Sequence, residues 1–566
     1  MRAQGCAVCS SVPVTAQKAF TVVRSAGTFA VYKIGMAAVQ SNRHIPPHHA
    51  GRRRKPPSSF VPLLVLALGI HLLAAIANEG FTPSGEYYRY LSFARHGAGL
   101  EHKLELPPAL AQRTVPGLLP VIGHAVVLGT EAIGVASPFL QSTLLRVLSS
   151  LLGLLAALLV FGAFRGECTS HAARRWLFLL LLFLWFMPPL LTRFSAENWS
   201  GLLFFLGIAW YYQKGEQGEA SMMIAGFLLG LSFFVRFQTV AMLAGFAAWL
   251  LVIERADRRV LIGLMGGALI AAVVGSLADR FAYGVWTSSA WNALLAMFNP
   301  TAAAAASDHP WWFSARELVS RGFFPIGLVL LMASMGFMIQ ARRHILTWIS
   351  LPYLMLHLLL PSPDLRGLFP LVLAMPVMLV LAVQALMDAV PRGRWRATVV
   401  TTVRWVGYPL WGVNLALALG ASLMPADEYA PMYRFLYDRY GGGSTVLVHA
   451  GEDPYARTEV PVACYMPAQL QRIALAETSS LAATLNEHPG ARVLLATHRE
   501  TLPEDIRSEG LQLREIFRRV PEWSALVNTP EWFEPADTVV LYEVRAAARA
   551  VKSSYDIGQP LSTQAH

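Results

Sequence analysis

Long apolar runs separated by short polar segments fill the chain from about residue 60 to residue 424. About 20 consecutive apolar residues are enough for a helix to cross the hydrocarbon core of a bilayer. We therefore interpret each run as a span, and the pattern predicts an α-helical polytopic membrane protein. About eleven spans are predicted, at roughly 60–78, 140–164, 175–191, 198–212, 220–235, 238–253, 260–278, 322–341, 345–361, 367–388 and 398–420.

Two regions outside these runs have the polarity of soluble protein. Residues 1–59 form an arm that ends in Arg52-Arg53-Arg54-Lys55 and is predicted to be disordered and cytoplasmic, with Met36 as an alternative start. Residues 425–566 are predicted to form a small α/β domain. Its expected strands are 444–450, 491–498 and 538–544, and its expected helices are 479–487 and 503–518.

Basic residues in the short loops indicate the orientation, because cytoplasmic loops of membrane proteins are enriched in lysine and arginine. With about eleven spans, the basic loops all fall on one side. The arm is then cytoplasmic and the tail 425–566 extracytoplasmic. The membrane domain 60–424 has two long outer loops, 79–139 and 279–321. The basic loop residues are Arg174, Arg175, Lys214, Arg255, Arg258, Arg259, Arg342, Arg343, Arg392, Arg394 and Arg396.

One apolar segment does not fit the alternation of inner and outer loops. Residues 117–136 are apolar but include His124, Glu131 and several glycines. A span at this position would place the basic loops on both sides of the membrane. We therefore expect an interfacial or re-entrant segment within the first outer loop, and a twelfth span is the alternative.

Composition supports a membrane protein and excludes other classes. The chain is 55% hydrophobic and 14% charged, with a mean hydropathy of +0.45, whereas soluble domains have about 25% charged residues. The net charge of +11 arises largely in the arm and the short loops, so it does not indicate nucleic-acid binding. Four cysteines are too few and too scattered for a disulfide framework. The Ala-, Arg- and Leu-rich usage favours a bacterial inner membrane over an ER membrane.

Polar residues with chemical potential gather in the outer segments. Ionisable and amide side chains beside a bilayer are costly, so a functional site is the default expectation for such a group. Their coincidence on one face, from several separate loops, has its simplest explanation in a shared site. The set comprises Glu86, Arg193, Glu197, Arg236, the run 279–312, Asp364 and Arg366.

These residue types suit the transfer of a group from a lipid phosphate. A carboxylate such as Glu86 can accept the proton of an attacking hydroxyl. Arginines bind phosphate bidentately and stabilise the charge on a phosphate leaving group, and aromatic rings suit sugar faces. Each residue also has a structural interpretation: Glu86 as a loop acid, Arg193 and Arg236 as side chains that reach the headgroups, the tryptophans as an interfacial belt, and Asp364 with Arg366 as a surface ion pair.

Several motifs together resemble the Alg9/PIG-B-like mannosyltransferases, glycosyltransferase family 22, which have the GT-C fold. The long-loop signature of that family is similar to Asp-x-x-Phe-x-Tyr-Gly-x-Trp at 279–286, followed by Asn292, Asn299 and His-Pro-Trp-Trp-Phe at 309–313. Shorter similarities occur in the same order over about 60–390, at Pro83-x-x-Glu86-Tyr87-Tyr88, Gln112-Arg113-Thr114, Phe234-Val235-Arg236 and Asp364-Leu365-Arg366-Gly367-Leu368-Phe369-Pro370.

The resemblance implies a reaction and its partners. It implies the inverting transfer of a hexose, mannose, from a polyprenyl- or dolichyl-phosphate carrier onto a glycolipid or lipid-linked glycan. The reaction takes place on the luminal or periplasmic face and needs no tightly bound metal or other cofactor. The implied roles are catalysis by Glu86 and Asp279, donor-phosphate binding by Arg236, Arg366 and Arg193, and substrate binding by Tyr87, Arg113, Tyr283, Trp286, Asn292, His309, Trp311 and Asp364.

Two positions depart from the family pattern. Gly85 stands where the family has an aspartate, so Glu86 acts alone, or Asp279 assists or replaces it. Residues 363–367 read Pro-Asp-Leu-Arg-Gly where the family has Lys-Glu-Glu-Arg-Phe. The alternatives are another GT-C transferase, of aminoarabinose or protein-O-mannosyl type, and a non-catalytic relative that binds a lipid-linked sugar. A transporter is disfavoured, because its polar residues would lie near the bilayer midplane in repeated halves.

Overall fold

A computed structural model describes residues 60–80, 86–97, 113–214, 218–297, 312–359, 365–391, 393–427, 429–456, 462–475, 480–498, 511–518 and 539–546. Its first part is helical. The helices are, in order, α1 Val61–Ala77, α2 Glu86–Gly97, α3 Leu118–Ala132, α4 Pro138–Phe164, α5 His171–Phe183, α6 Met187–Leu191, α7 Ala196–Lys214, α8 Glu219–Val235, α9 Val240–Trp249, α10 Arg258–Tyr283, α11 Ser289–Met297, α12 Phe313–Arg321, α13 Ile326–Gln340, α14 Ile345–Leu359, α15 Ala374–Ala389 and α16 Arg394–Leu423.

Helices occupy the positions of the predicted spans, but many are too short or bent to count as full spans. Among the described residues, four helices are long and apolar enough to cross a membrane, or up to six if each bent pair is one span. The count of eleven is therefore not confirmed. The run 175–191 breaks between α5 and α6, where Pro188 and Pro189 follow the break. The run 367–388 begins as a 3₁₀ turn, Leu365–Leu371, bent by 69° from α15.

The ambiguous segment 117–136 forms the short helix α3. Its 15 residues measure about 22 Å at 1.5 Å per residue, which is less than the roughly 30 Å of a bilayer core. α3 packs on α2, where a Cβ on Gly123 would lie 3.3 Å from that of Ala94 and His124 Nδ1 is 3.0 Å from the Ala94 carbonyl oxygen. The length and this packing favour the interfacial interpretation over a span.

Close backbone contact joins α8 and α10, which run parallel, since Gly263 meets Met222 near their starts and Gly275 meets Phe234 near their ends. A Cβ added to Gly226 would overlap the Leu264 carbonyl, and one added to Gly267 would overlap the backbone of Met223 and Phe227. Small residues allow helices in a membrane to approach this closely, and dispersion contacts then hold the pair. The ends of α8 and α10 are thereby fixed relative to each other.

The direction of the helices defines one end of the bundle. α4 and α7 run parallel, because Trp199 in the first turn of α7 donates a 2.8 Å hydrogen bond to Ser149 Oγ in the middle of α4, and Gln213 at the end of α7 donates one to the Leu159 carbonyl nearer the end of α4. The start of α7 and the end of α8 therefore lie at the same end as the start of α4. We call this the outer end.

Basic loops lie at the opposite end. His344 Nε2 lies 2.8 Å from Glu167 Oε2, and Trp249 donates to the Arg343 carbonyl oxygen. Glu167 follows the end of α4 and Arg343 follows α13. The predicted cytoplasmic markers Arg342 and Arg343 are thus separated from the outer end by the length of the bundle.

The tail forms a five-stranded mixed sheet in the order β2-β1-β3-β5-β4. β1 pairs in parallel with β2 and β3, and β5 pairs antiparallel with β3 and β4. Helix α17 precedes the sheet and α18 precedes β3. The elements are α17 Ala430–Tyr440, β1 Thr445–His449, β2 Leu470–Ala474, α18 Leu481–Glu487, β3 Arg492–His498, β4 Leu511–Arg518 and β5 Val539–Ala546.

Three predicted strands and the helix at 479–487 correspond to β1, β3, β5 and α18. The second predicted helix is wrong where the structure describes it, since Leu511–Arg518 is strand β4; residues 503–510 lie outside the described residues. Its residues suit a helix and a strand about equally, and pairing with β5 satisfies their backbone groups in an extended form. The strand 470–474, which has Gln471 and Arg472 at its centre, was not predicted.

The tail packs on the outer end of the bundle. The amides of Ala426 and Asp427, at the start of the tail, donate hydrogen bonds to the Glu79 carbonyl after α1 at 2.8 and 3.0 Å. Phe139 at the start of α4 stacks on Tyr465, with ring centroids 4.3 Å apart. One buried apolar cluster joins side chains of α2, α4 and the 194–199 region with those of α17, β1, β3 and β5. The tail is therefore a structural part of the outer end.

Candidate functional site

Three arginines surround one glutamate at the outer end of the bundle. Arg193 precedes α7, Glu197 lies in the first turn of α7, Arg236 follows α8, and Arg366 lies in the 3₁₀ turn before α15. α7 and α8 run antiparallel, so the start of α7 and the end of α8 lie at the same end of the bundle. We call these four residues the arginine cluster.

An ion pair lies at the centre of the arginine cluster. Arg236 Nη1 is 2.6 Å from Glu197 Oε1, and the two side chains are 15% and 4% exposed. Arg366 interacts electrostatically with both Glu197 and Arg193. Among the described residues, Glu197 Oε2 has no hydrogen-bond partner. Within this cluster of described residues, three positive charges accompany one negative charge in a largely buried place, and such a net positive charge suits an anion.

The 3₁₀ turn that carries Arg366 is packed directly on α7. A Cβ on Gly201 would overlap the backbone of Pro370 in this turn. The guanidinium of Arg193 lies 5.7 Å from the centre of the Phe369 ring. Burial lowers the pKa of Arg193 to about 10, and the nearby Arg366 acts in the same direction. Arg193 therefore remains a cation at neutral pH.

A second group of residues binds the first outer loop to the long outer loop. The Asp279 carboxylate, in the last turn of α10, accepts hydrogen bonds from the Gly117 amide at 2.8 Å and from the Ser289 amide at 2.6 Å. Ser289 Oγ donates to the same carboxylate at 2.7 Å. Tyr283 donates from its hydroxyl to the Val115 carbonyl at 2.6 Å.

Asn292 extends this contact towards Arg113. Its side-chain amide donates to Thr287 Oγ1 at 2.9 Å and to the Arg113 carbonyl at 3.3 Å. Arg113 has a backbone φ of 54°, which is rare for a residue with a side chain. We call the contacts of Asp279, Tyr283 and Asn292 with residues 113–117 the loop clamp.

The loop clamp changes the interpretation of Asp279. The residue is 2% exposed, and its two oxygens accept the Gly117 and Ser289 hydrogen bonds. A base must also reach the proton that it abstracts, so catalysis by Asp279 stays a prediction. The contacts seen in the structure link the two loops.

The remaining predicted residues divide into two groups. Trp286 is 69% exposed. Tyr283 and Asn292 make hydrogen bonds within the loop clamp. Three predicted residues, His309, Trp311 and Asp364, lie outside the described residues, as do the side chains of Glu86 and Tyr87.

The structure describes the backbone of α2, which begins at Glu86. The Tyr90 ring in α2 meets the Phe194 ring edge-on, with centroids 6.4 Å apart. Phe194 is adjacent in sequence to Arg193, so α2 contacts the segment that carries part of the arginine cluster.

Sequence reasoning did not assign Glu197, Tyr353 or His357 to the site. Glu197 was seen as an outer acid, and a stronger signal was available: it is a lone acid four residues after Arg193, in front of a long uncharged run. Tyr353 and His357 are buried polar residues spaced one turn apart in the apolar helix α14. Among the described residues, no three His, Cys, Asp or Glu side chains converge as metal ligands.

Comparison with solved structures identifies the fold. Over 86% of this chain and 98% of the other, the structure is similar to ArnT from Cupriavidus metallidurans bound to undecaprenyl phosphate, with a TM-score of 0.51 and 12% identity. The archaeal oligosaccharyltransferase AglB from Archaeoglobus fulgidus matches over 78% of this chain and 70% of its own, with a TM-score of 0.43 and 14% identity. The helical bundle and its C-terminal domain have the fold of ArnT, the GT-C fold.

The sequence itself identifies the family. The sequence model of the Alg9-like mannosyltransferase family matches residues 111–433, more than half of the chain. The chain belongs to the Alg9-like mannosyltransferase family. No curated protein matches the sequence.

Proposed function

We propose that this protein transfers mannose from a polyprenyl- or dolichyl-phosphate carrier onto a glycolipid or lipid-linked glycan. The transfer inverts the anomeric centre and takes place at the luminal or periplasmic face. The bacterial inner membrane is the favoured location, with the ER membrane as the alternative. Family membership supports the choice of mannose. The observation that carries the proposal is the arginine cluster, with its excess of buried positive charge at one end of the bundle.

The arginine cluster suits the phosphate of a lipid-linked sugar. Its members begin or end helices at the outer end, at the depth where a lipid phosphate would meet the protein. Guanidinium groups are permanently charged and form paired hydrogen bonds to phosphate oxygens. The structurally similar ArnT was crystallised with undecaprenyl phosphate, a polyprenyl phosphate of the proposed kind. The lipid tail would remain in the bilayer.

In the proposed reaction, the acceptor hydroxyl attacks the anomeric carbon of the donor. Glu86 takes the hydroxyl proton as the C–O bond forms, and the bond from the anomeric carbon to the phosphate oxygen breaks. Attack from the face opposite the phosphate inverts the configuration. Arg193, Arg236 and Arg366 stabilise the negative charge that grows on the departing phosphate. Asp279, Tyr283 and Asn292 hold the first outer loop in place through the loop clamp.

The proposal is tested with membranes that contain the protein, radiolabelled polyprenyl-phosphate-mannose and a total lipid extract. Label is expected to enter a new glycolipid. Glu86→Gln is expected to abolish transfer with normal expression and membrane insertion. Transfer that persists in Glu86→Gln would remove Glu86 as the base. Parallel reactions with carriers of other sugars, aminoarabinose included, distinguish a related transferase from the mannosyl enzyme.

Substitutions of Arg366 test its proposed role in donor binding. Arg366→Gln removes a charged contact to phosphate, worth about 1.5–3 kcal/mol, and is expected to lower kcat/KM for the donor about 10- to 150-fold. Arg366→Lys recovers little, because lysine lacks the planar fork. Arg321→Gln is the matched control, since Arg321 is 70% exposed and pairs only with Glu317 within its own helix among the described residues. An equal loss in both variants would contradict donor binding by Arg366.

A further inference from the structure

Gly367 follows Arg366, and close packing rather than backbone conformation requires a glycine there. The φ angle of Gly367 lies outside the left-handed range, so its backbone does not demand glycine. A Cβ on Gly367 would overlap Nε2 of His357, which belongs to α14. The imidazole of His357 thus takes the place of a side chain at position 367. This is the position at which the resembled motif has phenylalanine.

Tyr353 completes the contact between α14 and the 3₁₀ turn. Its hydroxyl donates a 2.6 Å hydrogen bond to the Gly367 carbonyl. Its ring stacks on the His357 imidazole, with centroids 5.0 Å apart and planes inclined by 24°. Tyr353 is fully buried and His357 is 5% exposed. Two polar side chains one turn apart therefore hold the residue next to Arg366.

The same tyrosine is coupled to the other half of the arginine cluster. Tyr353 interacts electrostatically with both Arg236 and Glu197. α14 otherwise carries apolar side chains apart from Thr347 and Ser350, and it has no acid, lysine or arginine. Burial of polar groups in such a helix is costly unless they are bonded, and the bond from Tyr353 goes to the turn that carries Arg366. The contact is therefore specific to the site.

We propose that Tyr353 and His357 are positioning residues that fix the guanidinium of Arg366 for the donor phosphate. Gly367 contributes as well, because its lack of a side chain leaves the space that the His357 imidazole occupies. The inference rests on the proposed function, in which Arg366 binds the donor. It adds that this chain sets donor affinity through an imidazole and a glycine at a position where its family pattern has an aromatic side chain.

A double-mutant cycle between positions 357 and 367 tests the proposal. Gly367→Ala pushes the turn away from His357 and is expected to raise the KM for the lipid-linked donor about 10-fold or more, with little change in kcat at saturating donor. His357→Ala removes the obstacle, so the double variant is expected to have a lower donor KM than Gly367→Ala alone. Gly336→Ala in α13 is the control, since a Cβ there meets nothing within 4 Å.

Tyr353→Phe is the second variant and keeps the ring while it removes one hydrogen bond. The donor KM is expected to rise about 2- to 13-fold, the effect of one such bond. The melting temperature is expected to fall as well, because the buried Gly367 carbonyl loses its donor, while the KM for the acceptor stays near that of the wild type. Strictly additive effects in the cycle, or losses confined to melting temperature or acceptor KM, would overturn the inference.

Binding of undecaprenyl phosphate alone separates the two proposals. It is measured as the thermal shift of the purified protein in detergent. If the wild type shows no shift, donor binding by the arginine cluster fails, and the positioning role fails with it. If the wild type binds and Gly367→Ala binds equally well, only the positioning role fails. Weaker binding in Gly367→Ala, restored towards the wild type in the double variant, supports both.

Discussion

At the scale of single residues, Asp279 illustrates what a motif can and cannot show. The long-loop signature singled it out, and the structure places it in the loop clamp between Gly117 and Ser289. Its partners are 162 and 10 residues away in sequence, so the bonds could not be read from local spacing. Glu197 is the opposite case, because no motif contains it. Its place in the site depends on the ion pair with Arg236, which lies at the outer end because α8 runs antiparallel to α7.

Asp279→Ala is expected to destabilise the protein as well as reduce transfer. The change leaves the buried Gly117 and Ser289 amides without their acceptor, at a cost of about 1–3 kcal/mol each. Asp279→Asn keeps one acceptor oxygen and is expected to retain more stability and some activity. Melting temperature in detergent and initial rates are measured together. An inactive Asp279→Asn with wild-type stability would instead identify Asp279 as a participant in proton transfer.

At the scale of elements, apolar run length predicted the helices well and their breaks poorly. Val61–Ala77 and Pro138–Phe164 lie within two residues of the predicted 60–78 and 140–164. The break after Phe183 and the 69° bend at Leu365–Leu371 lie inside continuous apolar runs. Hydropathy does not register them, because a buried break is stabilised by neighbouring helices rather than by polar residues of its own.

Strand β4 shows the same limit in the tail. The sequence Leu-Gln-Leu-Arg-Glu-Ile-Phe-Arg at 511–518 suits a helix and a strand about equally. Its pairing with Val539–Ala546 decides the outcome and contains an irregularity between Glu515 and Phe517. Propensity is a weak guide where tertiary pairing satisfies the backbone. Predictions of this kind fail where the partner segment is distant in sequence.

The contact of α8 with α10 makes a prediction for two neighbouring glycines. Gly267→Ala places a Cβ against the backbone of Met223 and Phe227, and the helices must separate, at a cost of about 1–3 kcal/mol. Gly266→Ala meets only the Met223 side chain, at 3.8 Å, and is the control. Both changes alter helix propensity equally. The melting temperature in detergent is expected to fall for Gly267→Ala alone; equal values would contradict the close packing.

At the scale of the whole molecule, the outer domain and the membrane domain share one apolar cluster. Phe139 is central to it: the ring is 2% exposed, lies parallel to that of Tyr465, and has the Arg434 guanidinium 5.4 Å from its centre. The sequence indicated both domains but not their contact, because each partner residue in isolation reads as an ordinary core or loop residue.

Phe139→Ala is expected to loosen the tail from the bundle. Loss of a buried phenylalanine costs about 3–5 kcal/mol, which falls here on the contact between the domains. Limited proteolysis of the tail in detergent is expected to accelerate at least several-fold. Leu140→Ala is the control, because Leu140 is the next residue of α4 and is 43% exposed. Equal cleavage rates in the two variants would show that Phe139 does not hold the tail.

The packing of Tyr465 and its neighbours beside α2 opens a route to inhibition from the aqueous side. The helix that begins at Glu86 contributes Leu91 and Ala94 to the same cluster as Tyr465. A soluble antibody fragment that binds the tail and shifts the 463–465 turn would therefore displace α2 and the proposed base Glu86 without entering the bilayer. Such an inhibitor would lower the maximal rate and leave the lipid donor free to bind, so excess donor would not reverse it.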